Sequence, residues 1–84
     1  MRVTVLLFAR LRELAGAGEI ACDVAPGATV GDVWRDVAAR HPALTPFAGA
    51  VSCAVNEDFA RAGAAVHDGD RVAFLPPVSG GATG

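Results

Sequence analysis

The chain has 84 residues, of which 52% are hydrophobic and 19% are charged, and its formal net charge is −2. This length holds one domain with one core, and the apolar content excludes an intrinsically disordered chain. The positive charge comes from arginines that form no cluster, so we expect no nucleic-acid partner. Charged residues and glycines interrupt every apolar run well below the length of a membrane span, so we expect no membrane partner.

The first quarter of the chain predicts a strand, a short helix and a second strand. Arg2–Phe8 is an apolar, β-branched run, typical of a strand buried on both faces or nearly so. The run is too short for a signal peptide, and we expect a cytoplasmic protein. Ala9–Ala15 is rich in helix formers and is followed by Gly16, which ends the helix. Glu19–Val24 alternates and predicts an antiparallel second strand with three inward-facing residues, Ile20, Cys22 and Val24.

The strongest helix signal begins at Thr29. Thr29 is a good N-cap, and Asp32 three residues later completes a weak capping box. The residue before a proline is biased against helix, so we expect the helix to end near His41, before Pro42. Its apolar face has helical spacing and consists of Val30, Val33, Trp34, Val37, Ala38 and His41.

The second half of the chain predicts short strands and turns. Ala43–Ala50 is expected to be a loop with Leu44 and Phe47 pointing inward. Val51–Asn56 predicts a third strand, which a turn at residues 56–58 follows. Phe59–Ala65 is either a short strand or an irregular crossing.

The last predicted elements are a turn and a strand. The turn is His67–Asp70, with Gly69 at positive φ. Arg71–Leu75 is the final strand, with Val72 and Phe74 on one face and the two other side chains, Ala73 and Leu75, on the opposite face.

Together these elements predict an α+β fold. The first and last strands are the most apolar, so we expect them side by side at the centre of the sheet, with the main helix on one face. This is the β-grasp, or ubiquitin-like, roll, with a mixed sheet of four to five strands. The domain covers residues 1–75, and residues 76–84 form an extended tail.

The tail has a composition suited to extended backbone. Pro76 and Pro77 fix φ and remove two backbone donors, so the chain leaves the sheet unpaired. Gly80 and Gly81 carry no side chain, which suits a backbone that enters a narrow space. On composition alone, a disordered terminus explains the same residues.

The body of the chain carries no set of groups that predicts catalysis. His41 and His67 stand alone, without a convergent set of titratable residues. Cys22 and Cys53 are far apart in the sequence and have no nearby histidine, so we expect buried, reduced thiols and no metal site. We expect no permanently bound cofactor. The body therefore has the character of a carrier or an adaptor.

The chain resembles the family of small, sulfur-carrying subunits of molybdopterin synthase. The matching segments are "VTVLLFARLRELAG", "SCAVNEDF", "DGDRVAFLPPVSGG" and the capped helix between them. The resemblance implies a β-grasp domain that is not itself catalytic. The resemblance also implies that an activating enzyme resembling the ubiquitin-activating type uses ATP to adenylate the carboxylate of Gly81, next to Gly80. The carboxylate then becomes a thiocarboxylate, which gives its sulfur to the dithiolene of molybdopterin in the large catalytic subunit.

The resemblance also implies a surface that binds these partners. It consists of Phe8, Arg12, Phe59, Leu75, Pro76, Pro77 and Val78. Without the resemblance, Phe8 and Phe59 would be expected in the core. In the family the second glycine is normally last, whereas Ala82, Thr83 and Gly84 follow Gly81 here. The corresponding hypothesis is trimming after Gly81; the alternatives are use of Gly84 itself and an artificial extension that the natural chain lacks.

Three alternative functions fit the sequence. One is a sulfur carrier of the same fold that supplies sulfur for thiamine, for cysteine or for the thiolation of transfer RNA. Another is a ubiquitin-like modifier of target lysines, and the last is an interaction domain with an inert tail. The ending "FLPPVSGG" favours the molybdopterin branch.

Overall fold

The computed structural model describes residues 1–77. The elements in chain order are β1 (Arg2–Leu7), α1 (Ala9–Ala15), β2 (Glu19–Asp23), α2 (Val30–Arg40), a 3₁₀ helix (Pro42–Phe47), β3 (Ser52–Val55), β4 (Asp58–Ala60) and β5 (Arg71–Leu75). They form a single five-stranded sheet with the order β2-β1-β5-β3-β4.

The sheet is mixed, and β5 is its central strand. β1 pairs with β5 in parallel and with β2 antiparallel, and β3 pairs antiparallel with both β5 and β4. The first and last strands therefore lie side by side, as predicted. With α2 packed on one face, the architecture is the predicted β-grasp roll.

The covered face of the sheet holds the core. Val3, Val5 and Leu7 of β1 are buried against Val72 and Phe74 of β5. The helix α2 adds four buried residues to this core, Val30, Val33, Trp34 and Val37. The rings of Trp34 and Phe74 meet edge to face, with their centroids 5.0 Å apart, a favoured aromatic geometry.

The N-terminus of α2 is closed by a full capping box, stronger than the weak one predicted. The Asp32 backbone N–H donates to Thr29 Oγ1 over 3.2 Å, and the Thr29 N–H donates to Asp32 Oδ2 over 2.9 Å. These hydrogen bonds lower the pKa of the Asp32 carboxyl, chiefly through the Thr29 backbone N–H. His41 is the C-cap, so the helix ends directly before Pro42, as predicted.

Residues 59–65 combine the two structures that the sequence predicted as alternatives. β4 ends at Ala60, and a single bridge then joins Ala65 to Thr29. Along this crossing the Val30 N–H donates to the Ala64 carbonyl over 2.9 Å. The crossing thus satisfies backbone donors at the start of α2 that would otherwise lack a partner.

Four predictions about secondary structure and burial were wrong. β1 is buried on one face only and is half-buried on the other, because the helices lie on one side of the sheet. Phe8 is the N-cap of α1 rather than the end of β1, because the backbone turns at Ala9, whose φ is +51°. The predicted loop at Ala43–Ala50 overlaps the 3₁₀ helix, which begins one residue earlier at Pro42, a position that tolerates proline. Cys53 is half-buried rather than buried.

Two strands, β2 and β3, are slightly shorter than predicted, which is a smaller correction. β2 stops one residue before Val24, and β3 begins after Val51 and ends before Asn56. Gly69 has the predicted positive φ, at +87°. The division between the domain and the tail after Leu75 stays a prediction, since most of the tail lies outside the described residues.

Candidate docking groove at the base of the tail

The open face of the sheet carries a row of side chains across four strands. The register places Leu6 beside Ala73, Ala73 beside Ala54, and Ala54 beside Phe59 of the edge strand β4. Side chains alternate along a strand, so this row points away from the buried Leu7 and Phe74. Two alanines in the middle of the row leave a low floor between taller neighbours.

Larger side chains form the walls of this groove. Among residues 1–77, Phe8 and Phe59 are the exposed large hydrophobic residues, at 45% and 86% exposure. Leu75 is half-buried on β5, which lies between β1 and β4 in the sheet. The groove encloses about 470 Å³ and is lined by Leu6, Phe8, Ala54, Asn56, Glu57, Phe59, Arg71, Ala73 and Leu75. An apolar groove of this kind typically marks an interaction site.

Local backbone geometry explains how the two phenylalanines reach the open face. Asn56 and Glu57 both have positive φ, +50° and +75°, as in the two-residue type I′ turns that join hairpin strands. This turn brings β4 back beside β3 and places Phe59 opposite Ala54. Phe8 projects at the turn from β1 into α1, one position beyond the last paired residue of β1.

The structure brings together three of the predicted partner-binding residues, namely Phe8, Phe59 and Leu75. The prediction of a core position for Phe8 and Phe59, made without the resemblance, is wrong. Arg12 lies outside the groove but shares the adjoining surface with Phe8. A Cβ on Gly18 would lie 3.1 Å from Arg12 Nε, so this glycine leaves room for the guanidinium.

The remaining predicted residues lie at the exit of the groove or beyond it. Pro76 is half-buried and Pro77 is exposed, directly after β5. Val78, Gly80 and Gly81 lie outside the described residues. The part that each predicted residue plays in binding or chemistry stays a prediction.

Sequence reasoning did not include several residues of the groove. It missed the three residues of the floor, which are Leu6, Ala54 and Ala73. It also missed three residues at the end of the groove opposite the tail, here called the far end: Asn56, Glu57 and Arg71. The signal for Ala73 was the strand alternation, which already placed it opposite Val72 and Phe74, and the same alternation puts Leu6 opposite the buried residues of β1. Nothing local indicated that Ala54 would meet Ala73, because that contact depends on the pairing of β3 with β5.

Hydrogen bonds fix the backbone at the far end of the groove. The Arg71 N–H donates to Asn56 Oδ1 over 3.0 Å, and the Asn56 N–H donates to the Arg71 carbonyl over 2.8 Å. Asn56 Nδ2 donates to Asp70 Oδ1 over 3.0 Å, and the His67 N–H donates to Asp70 Oδ2 over 2.7 Å. These donors, Asn56 foremost, hold the pKa of Asp70 below its usual value.

The titratable groups of residues 1–77 show no catalytic arrangement. Burial raises the pKa of both thiols, Cys22 and Cys53, which keeps them protonated and poorly nucleophilic at neutral pH. No three histidine, cysteine or acidic side chains of these residues are grouped as a metal site would require. None of their helices combines the length and the apolar composition needed to cross a membrane.

Comparison with known proteins decides the family. Residues 5–81 match the ThiS family. This chain belongs to the ThiS family. The matched range covers most of the domain, including the groove, and ends at Gly81.

Two named relatives are similar over nearly the whole chain. The molybdopterin synthase sulfur carrier subunit of Chlamydomonas reinhardtii is 39% identical, with 96% of this chain and 100% of the relative covered. The small archaeal modifier protein 1 of Haloferax volcanii is 37% identical, with 89% of this chain and 95% of the relative covered. The ThiS-family chain thus resembles proteins of two different names.

Solved structures agree on the fold. A crystal structure of the Haloferax volcanii protein SAMP1 has a TM-score of 0.86 at 33% identity, covering 94% of this chain and 98% of that one. A protein–protein complex of subunits 1 and 2 of the molybdopterin-converting factor from Helicobacter pylori has a TM-score of 0.67, covering 93% of this chain and 96% of that one. At 20% identity, the second similarity supports the β-grasp fold alone.

Proposed function

We propose that this chain is the sulfur carrier subunit of a molybdopterin synthase. The observation that carries the proposal is the exposed apolar groove at the point where β5 leaves the sheet and leads into Pro76 and Pro77. A carrier needs a docking surface next to the segment that delivers its cargo. The family match through Gly81 and the name of the Chlamydomonas relative support the same function.

The reacting group in this proposal is the carboxylate of Gly81. A carboxylate is a poor electrophile, so an activating enzyme first joins it to AMP from ATP and releases pyrophosphate. A sulfur nucleophile at the oxidation level of sulfide then displaces AMP and leaves a thiocarboxylate. Gly80 and Gly81 have no Cβ, so two different enzymes can close around the same carbonyl.

The carrier itself performs no catalysis in this scheme. It uses its own groove to dock on the large catalytic subunit and inserts residues 76–81 into that subunit. There it gives up its sulfur to the dithiolene of molybdopterin. We expect the assembly to be a heterotetramer in the cytoplasm, with no cofactor held permanently by the carrier. Since Ala82 follows Gly81 in the sequence, activation at Gly81 also requires cleavage of the Gly81–Ala82 bond.

Mass spectrometry after incubation with the activating enzyme, ATP and a sulfur donor tests the proposal. A chain ending at Gly81 should exchange one carboxylate oxygen for sulfur, and a chain ending at Gly80 should not support sulfur transfer. Both should unfold at the same temperature, because an unpaired terminus adds little to folding. Sulfur transfer by the shorter chain would contradict the carrier function, and sulfur at an uncleaved Gly84 would contradict the trimming.

The second candidate function is that of a ubiquitin-like protein modifier. It is favoured by the similarity to the Haloferax modifier protein. A modifier would give higher-mass adducts in denaturing gels of native cells, and these would disappear when Gly80 and Gly81 are removed. The sequence contains no lysine, so such adducts could not extend into chains of this protein linked through lysine side chains.

A further inference from the structure

The far end of the groove carries two opposite charges. Arg71 and Glu57 both line the groove there, while Phe8 and Leu75 lie at the end from which the tail departs. Arg71 and Leu75 are four residues apart on β5, which corresponds to about 13 Å along the strand. Among the residues that line the groove, the charged ones therefore lie at one of its two ends, and the floor is apolar.

Arg71 has no ion-pair partner among the residues that the structure describes. Four of the seven arginines are paired with carboxylates of their own chain: Arg2 with Asp23, Arg10 with Glu13, Arg35 with Asp32, and Arg40 with Asp36. Within residues 1–77, Arg12, Arg61 and Arg71 form no such pair. The Arg71 backbone is held by two hydrogen bonds to Asn56, so its exposed side chain starts from a fixed position.

Glu57 occupies a position that would suit glycine better. Its φ of +75° lies in the left-handed region, which is unfavourable for a residue with a Cβ, and type I′ turns prefer glycine there. The sequence nevertheless has an acidic residue at this position, and Glu57 is one of the residues that line the groove. Residues held in unfavourable backbone conformations are concentrated at functional sites.

We propose that Arg71 and Glu57 orient the partner in the groove. This inference rests on the proposed function and takes the large catalytic subunit as the occupant. That subunit would place a carboxylate opposite Arg71, a basic side chain opposite Glu57 and an apolar side chain on the floor of Ala54 and Ala73. Because both charges lie at one end, only one direction of docking pairs them, and that direction leads the tail toward the reaction site.

Charge reversal tests this orientation. The affinity of the large subunit for the full-length carrier is measured by calorimetric titration at low and high salt. Arg71→Glu and Glu57→Arg should each weaken binding by at least about tenfold at low salt and by less at high salt. Arg61→Glu is the matched control, since Arg61 is also unpaired within residues 1–77 but borders Trp34 and Cys53 on the covered face.

Two substitutions at Glu57 separate a role in binding from a role in folding. Glu57→Gly removes both the charge and the backbone strain, so it should raise the denaturation midpoint while weakening the complex. Glu57→Gln removes the charge alone and should weaken the complex without raising the midpoint. A purely structural role would not move stability and affinity in opposite directions.

The binding results distinguish failure of this inference from failure of the proposed function. Failure of the unaltered carrier to bind the large subunit would overturn the proposed function and, with it, the inference. Normal binding that survives Arg71→Glu and Glu57→Arg within twofold would overturn the inference alone. An equal loss with Arg61→Glu would also overturn it, because the effect would then come from net charge rather than from the groove.

Discussion

The two faces of the sheet are built from the same strands but have different neighbours. In β5, Val72 and Phe74 are completely buried, whereas Ala73 and Leu75, which alternate with them, are half-buried. The covered face excludes water under α2, and the open face presents two exposed phenylalanines around a floor of alanines. Alternation along a strand thus assigns folding stability to one set of residues and, in the proposed function, binding to the other.

This comparison shows why one face of the sheet stays exposed in a short chain. Within residues 1–77 a single long helix, α2, covers the sheet, so the other face has no helical layer. The alanines limit how much apolar area that face exposes. The following predictions test the division between the two faces, in decreasing order of their expected effect on the free energy of unfolding.

Phe74→Ala tests the covered face at its centre. Phe74 is fully buried and contacts Trp34, so the substitution should lower the free energy of unfolding by about 3–5 kcal/mol. Urea denaturation measures this loss. Leu75→Ala, its half-buried neighbour on the open face, should cost clearly less, and an equal loss for the two variants would contradict the division.

Val37→Ala tests the helix that covers this face. Val37 is completely buried, and the substitution should lower the free energy of unfolding by about 1–3 kcal/mol through lost burial. Urea denaturation again measures the effect, with the exposed Arg35→Ala on the same helix as the control. A change below a few tenths of a kcal/mol would show that α2 packs on another side.

Asp70→Asn tests the turn that anchors the far end of the open face. Hydrogen bonds from Asn56 and His67 hold the pKa of Asp70 below the ordinary value of 3.8. This contribution to stability is therefore present above pH 3.8 and is lost as the pH falls through the lower folded-state value. Asp70→Asn should flatten the decline in urea midpoint over that acid range. An unchanged slope would contradict the assignment.

Phe59→Ala should have the smallest effect on folding and a large effect on binding. Phe59 is 86% exposed, so the free energy of unfolding should change by less than about 0.5 kcal/mol. Affinity for the large subunit should fall by at least about tenfold, because large aromatic anchors carry much of the binding energy of an interface. Unfolding and titration of the same sample measure both. Unchanged affinity would remove Phe59 from the proposed docking surface.

Local sequence patterns predicted both α-helices, most of the strands and, in β2 and β5, the side that faces the core; they did not predict the 3₁₀ helix or the single buried face of β1. The helical spacing from Val30 to Val37, the capping pair Thr29 and Asp32, and the alternation in β5 are all properties of near neighbours in the chain. The family resemblance added Phe8, Phe59 and Leu75 to one surface, and the structure brings these three side chains together. The roles of Gly80 and Gly81 stay a prediction.

Only the tertiary structure decided which open-face residues meet. The floor exists because β3 pairs with β5 in the register that puts Ala54 beside Ala73, and because β4 returns to put Phe59 beside Ala54. Alternation determines the face of a strand but not its partner or its register. Those depend on hydrogen bonds between segments that are distant in sequence, and the groove with its two charges at one end depends on them as well.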